Sequence, residues 1–260
     1  MSLLSIEVLP NGMIFAADRN VTVSVSKGGV MYQTQEVGSK VLRWPGRRAL
    51  IGFVGLGNIA DQSMYDWLFE FIGEHTHFSE SQSIAFELRD SLQRSVGQLD
   101  PPRSLIVEFG TFGVRNGVTV PEMWHVTNIP GMNNKTGEYL PAVREFIASE
   151  EILGHHLSDV PAQQLREHLA QLARQYDPFW FHQSIDLAVF NTLQGKVKEA
   201  FRTLHQSSFL PRPNSLEDWE RHARMWVLMF GAYYESFGGP GERYVGGGAD
   251  VYSMPWPDSA

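Results

Sequence analysis

The stretch "IGFVGLGNIAD", residues 51–61, reads as G-x-G-x-x-A through Gly55, Gly57 and Ala60. It follows the apolar run "ALIGFV" and precedes residues at helical spacing, the context a dinucleotide-binding loop requires. The order of the flanking segments decides against that reading. A Rossmann unit returns from its first helix to a parallel strand, with an acidic ribose ligand about 20 residues on. Here the helix is followed by a second helix, and the runs before Gly55 are joined by hairpin turns. The glycines are therefore expected to turn the chain in a different fold.

Upstream, "LLSIEVL" and "GMIFAAD" flank Pro10-Asn11-Gly12, a hairpin signal. "VTVSVS" (21–26) alternates strictly, and Gly28-Gly29 turns the chain into "VMYQTQEV"; "SKVLRW" and "ALIGFVG" follow across "PGRR". Runs this close together pair antiparallel, because parallel strands need crossover helices between them. Downstream, Ala60, Met64, Trp67, Leu68 and Phe71 predict a helix over 60–73. Ile84, Leu88 and Leu92 predict another over 80–97, with Ser79 as its N-cap. "SLIVEFGTFG" and "PEMWHVTNI" read as a strand pair. Leu165, Leu169 and Leu172 mark an amphipathic helix, residues 184–192 a buried strand, "KVKEAFRTLHQ" a helix and 216–237 a long helix. "GADVYSM" closes as a strand. This order is an α+β pattern, most economically a four-layer αββα sandwich with two antiparallel sheets between helix layers. No boundary divides the chain, so a single domain over 1–260 is expected.

The 260 residues carry a net charge of −8 and no cysteine. No broad basic surface exists for nucleic acid, the densest cluster being Arg43, Arg47 and Arg48. Disulfides, thiolate metal sites and a cysteine nucleophile are excluded. No apolar run approaches the roughly 20 residues of a membrane span, and "MSLLSIEVLPNG" lacks the features of a signal peptide. A cytoplasmic protein that binds neither nucleic acid nor membrane is expected. His155 and His156 are adjacent, so their side chains diverge, and His168 and His182 have no spaced partners. No metal or cofactor is expected. Asn134-Lys135-Thr136 is a chance glycosylation match. Trp219, Trp226, Phe230, Tyr233, Tyr234 and Phe237 lie at helical spacings and suit a core or a subunit interface.

Three segments together resemble proteasome β subunits and the related bacterial peptidase subunit that partners an ATP-driven unfoldase. "NGMIFAADRNVTV" is similar to the family's hG-hhhAAD-x-R segment, whose aspartate falls on Asp18. "SKVLRWPGRRALIGFVGLGNIADQSMYDWL" is similar to the stretch with its lysine, on Lys40, and its glycine turn, on Gly55. "ERYVGGGADVYSM" is similar to the closing segment. The resemblance covers about residues 1–75 and 215–255. About 130–183 finds no match, and a helical insertion is expected there.

The resemblance implies an N-terminal nucleophile hydrolase acting on a peptide or amide. The family's nucleophile lies ten positions before the glycine that corresponds to Gly12, which gives Ser2 once Met1 is removed. A free α-amine, with an ordinary pKa of about 7.7–8.0, then serves as the base that activates the hydroxyl. Lys40 would add positive potential beneath Ser2, Asp18 would hold Lys40 charged, and the Gly55 N–H would supply the oxyanion hole. Glu242 falls at a further family aspartate, and Thr192 at a family serine in a strand-to-helix turn. Serine replaces the usual threonine, and Val245 stands where the family has a serine beside the terminal amine. Three functions follow: a self-compartmentalising peptidase, a catalytically silent scaffold of the same fold, and a small-molecule amidase. A homo-oligomer, ring or stacked, is implied, and a partner ATPase is left open. Lys40→Ala is expected to abolish activity with the fold intact.

Overall fold

Pro10 and Asn11 turn the chain as the sequence suggests, joining β1 (Leu3–Leu9) to β2 (Gly12–Asp18). The structure is a computed structural model that describes all residues except 1, 28–29, 60, 78–79, 132–139, 151–159, 176–178, 185–186, 208–210, 238–244 and 258–260. β3 (Asn20–Lys27) and β4 (Val30–Val37) form a second hairpin, and β5 (Val41–Arg43) pairs with β6 (Ala49–Gly55). The short strands β7 (Asn58–Ile59) and β8 (Gln62–Ser63) lead into α1 (Met64–Glu74), followed by α2 (Ser81–Ser95). Next come β9 (Leu105–Arg115), β10 (Val118–Thr127) and β11 (Ile147–Glu150). α3 (Ala162–Arg174), β12 (Phe179–Ser184), α4 (Leu187–Gln206), α5 (Leu216–Phe237) and β13 (Ala249–Pro255) complete the described elements.

Two larger sheets result, ordered β12-β1-β2-β13 and β11-β10-β9-β6-β5, with antiparallel pairing throughout. β6, which ends at Gly55, lies between two antiparallel neighbours, so no parallel crossover follows the glycine turn. α1 is also not headed by that turn. Its N-cap is Ser63, whose hydroxyl accepts the Asp66 N–H at 3.0 Å.

Strand alternation distributes the core. From β2, Met13, Phe15 and Ala17 join Leu50 and Val54 of β6 and Ile106 of β9 in one buried cluster shared by both sheets. Ile14 and Ala16 instead join Trp219, Trp226 and Phe230 of α5 and Phe201 of α4. On β6, Ala49, Ile51 and Phe53 join Met64, Leu68 and Phe71 of α1 and Leu88 and Leu92 of α2. Each of the Leu, Ile, Val, Phe and Met side chains among them contributes about 1.5–3 kcal/mol on full burial. Gly52 brings β1 close to β6: a Cβ there would lie 2.7 Å from Leu4 Cδ1.

One expected element is corrected. Residues 184–192 are not a single strand: β12 ends at Ser184, opposite Leu3, and α4 starts at Leu187. A short apolar run does not distinguish a buried strand from a helix. The 130–183 stretch supplies β11 and β12, one for each large sheet, and α3, whose Leu165 and Leu169 enter the shared cluster. Ser79 lies outside the described residues; α2 begins after Glu80. Among the described residues, no helix is long and apolar enough to cross a membrane.

Candidate functional site

The start of β1 runs beside the end of β2, and that pairing builds the site. Register places Leu3 against Asp18, and the Leu3 N–H donates to Asp18 Oδ1 at 2.7 Å. Lys40, just before β5, donates from Nζ to the same oxygen at 2.7 Å. The other oxygen, Oδ2, accepts the N–H of Asn20 at 3.1 Å and of Gly246 at 3.3 Å. The Gly246 carbonyl in turn accepts the N–H groups of Arg19 and Asn20. The glycine segment before β13 is thereby fastened over the β2–β3 junction.

Asp18 is 0% exposed and Lys40 1% exposed. A charge pair so far from water persists only with good geometry and saturated partners, and each Asp18 oxygen here has two donors. Burial pushes the Lys40 ammonium below the usual lysine value, against the opposing pull of Asp18. Burial likewise raises the Asp18 carboxyl, opposed by Lys40 and by the Leu3 and Gly246 N–H groups. The pair thus holds a lysine whose proton is more easily given up than an exposed one.

Ser2 precedes Leu3 directly and is buried. Because Lys40 Nζ and the Leu3 nitrogen share one oxygen, Lys40 stands within two hydrogen-bond lengths of the Ser2–Leu3 peptide. Ser2, Asp18 and Lys40 are therefore brought together. Gly55 belongs to the strand tied to Lys40 by the Phe53 N–H, which donates to the Lys40 carbonyl at 3.0 Å. Its φ is +112°, and a Cβ there would lie 2.2 Å from the Ser104 carbonyl oxygen. That oxygen already accepts the Leu56 N–H. Gly57 backs onto Thr22 of β3, where a Cβ would meet the carbonyl oxygen at 2.3 Å. The glycine turn is thus wedged between β9 and β3, and its Gly57 carbonyl accepts the Met64 N–H that opens α1, at 2.9 Å.

Thr192 lies within α4, beyond the expected strand-to-helix turn. Glu242 lies outside the described residues, as does Met1. Val245 is buried in the apolar cluster of α5 with Trp226 and Tyr234, next to the Gly246 that caps Asp18. The sequence reading missed the backbone donors of Leu3, Asn20 and Gly246. The run "VGGG" was the available signal for the last. Among the described residues, no group of three or more His, Cys, Asp or Glu could hold a metal ion.

No family model and no curated protein matches the chain. Among solved structures, the chain is similar to a Gly-1 mutant of Anbu from Hyphomicrobium sp. strain MC1. The identity is 15%, over 83% of this chain and 100% of that one, with a TM-score of 0.33.

Proposed function

We propose that this protein is an N-terminal nucleophile hydrolase that cleaves amide bonds by acyl transfer to Ser2. The observation that carries the reading is the shared Asp18 oxygen. One buried carboxylate oxygen holds both Lys40 Nζ and the backbone N–H directly after Ser2. Cleavage of the Met1–Ser2 bond would free an α-amine beside Lys40. The positive potential there favours the neutral amine, which accepts the Ser2 hydroxyl proton. The hydroxyl oxygen attacks the substrate carbonyl, the Gly55 N–H stabilises the oxyanion, and the protonated amine returns its proton to the leaving nitrogen. Water then hydrolyses the acyl-serine.

The wider fold in this reading is a four-layer αββα sandwich in a single domain, with α1 and α2 on one side and α4 and α5 on the other. The shared apolar cluster between the sheets and the separate helix-facing clusters support it. The working form is a homo-oligomer. A peptide is the first substrate class to test and a small amide the second.

Buried Val245 favours a second reading, a catalytically silent scaffold, because a valine side chain cannot hydrogen-bond a terminal amine. Hydrolysis of a peptide and small-amide panel by the processed protein, compared with Ser2→Ala, separates the two. Activity lost in Ser2→Ala supports the hydrolase. No turnover in either favours the scaffold, and equal turnover in both contradicts the role of Ser2.

A further inference from the structure

The arginines of "RWPGRR", residues 43–48, sit at the closed end of the β5–β6 hairpin, whose open end carries Lys40 and Gly55. Trp44 to Arg47 make the turn. The Arg47 N–H donates to the Trp44 carbonyl at 3.2 Å, and Gly46, at φ +75°, takes the third position of a type II turn after Pro45. The side chains are held as well. Arg43 Nη2 donates to the Ser253 carbonyl of β13 at 2.9 Å. Arg47 Nη2 donates to the Thr76 carbonyl at 2.9 Å, and its guanidinium lies 5.4 Å from the centre of the Trp44 ring. The Arg48 carbonyl accepts the Thr111 hydroxyl at 2.7 Å, tying that backbone to β9. Among the described residues, no carboxylate pairs with any of these three guanidinium groups.

Two cavities adjoin at this corner. One, of about 170 Å³, is lined by Arg43, Arg47, Arg48 and Ser253. The other, of about 560 Å³, shares Arg47 and Arg48 and extends to Glu80 and Gln82 at the start of α2. That volume lies within the roughly 300–1,000 Å³ of small-molecule sites. Two of its carboxylates are engaged, Glu122 by the Ser81 hydroxyl at 2.6 Å and Glu150 by Arg115. Glu80 precedes α2 without a side-chain capping bond. A phosphate monoester carries a charge of about −1.5 to −2 on three acceptor oxygens, and arginine forks match those oxygens in pairs. Three unneutralised guanidinium groups around one small cavity suit that charge better than a single carboxylate.

We propose that Arg43, Arg47 and Arg48 bind the phosphoryl group of a sugar phosphate, whose sugar occupies the larger cavity. The Glu80 carboxylate accepts from sugar hydroxyls, and the Gln82 amide donates to them or accepts from them. The site is separate from Ser2: the 7 residues of β6 lead from Ala49, beside the arginines, to Gly55, a span of about 20 Å.

Titration calorimetry of the full chain with ribose 5-phosphate, inorganic phosphate and ribose tests this. Ribose 5-phosphate is expected to bind once per chain, inorganic phosphate more weakly and ribose not measurably. Arg48→Gln, at an exposed position, should weaken both phosphates by about 10-fold or more, through the loss of charged hydrogen bonds. Glu80→Ala should weaken ribose 5-phosphate and leave inorganic phosphate unchanged. No saturable binding of either phosphate overturns the proposal, as does binding that Arg48→Gln leaves unchanged. Ribose 5-phosphate bound no more tightly than inorganic phosphate overturns the place of the sugar.

Discussion

Lys40 Nζ and Asp18 Oδ1 are 2.7 Å apart, with both side chains closed off from solvent. Such a pair is costly to break from one side, since the abandoned charge keeps its burial and loses its partner. Lys40→Met should lower the unfolding free energy by about 3–5 kcal/mol, beside abolishing hydrolysis. The sequence-based expectation for Lys40→Ala is lost activity with the fold intact, and the burial of the pair adds a loss of stability to it. The double change Asp18→Asn with Lys40→Met should recover part of the loss, and urea unfolding of the four proteins measures the coupling.

The same burial sets a pH dependence. Below 10.5 and above the lowered value of the folded state, the unfolded chain binds a proton on Lys40 that the folded chain has released. Unfolding free energy therefore rises with pH across that window. Urea midpoints measured through the alkaline range should show this rising contribution in wild type. Lys40→Met should lack it, and identical slopes in the two would contradict the assignment.

At the glycine turn, Gly55→Ala should destabilise the protein by about 1–3 kcal/mol from its backbone conformation alone, with the Ser104 carbonyl collision in addition. Gly73 makes a useful contrast, since it sits inside α1 with nothing near a new Cβ. Gly73→Ala should stabilise by about 0.5–1 kcal/mol. Thermal melts of the two variants should move in opposite directions.

The elements with strong periods were legible in the sequence. α5 occupies the residues its aromatic spacing marked, and the β1–β2 and β9–β10 pairs follow their apolar runs. β11 and β12 were not, because four- and six-residue edge strands amid irregular sequence carry too few alternations to register. Asp18 and Lys40 were named through a resemblance. Their shared contact with the Leu3 N–H was invisible, because a side chain reaching across 22 positions leaves no local pattern.

On α5, Leu228, Met229 and Tyr233 are exposed on a helix whose opposite face is in the core. Apolar side chains grouped this way suit a contact with another copy of the chain. Light scattering at micromolar concentration should give a mass well above the 29.4 kDa of one chain. Leu228→Glu should lower it, and a monomeric wild type would remove the oligomer from the proposal.

Hydrolysis by Ser2 requires a free amine beside Lys40. Intact mass of the untagged protein purified from its own cells measures whether that amine exists. The expected mass is that of a chain whose first residue is Ser2. A chain that retains Met1 throughout would leave Ser2 without its base and rule out acyl transfer to Ser2.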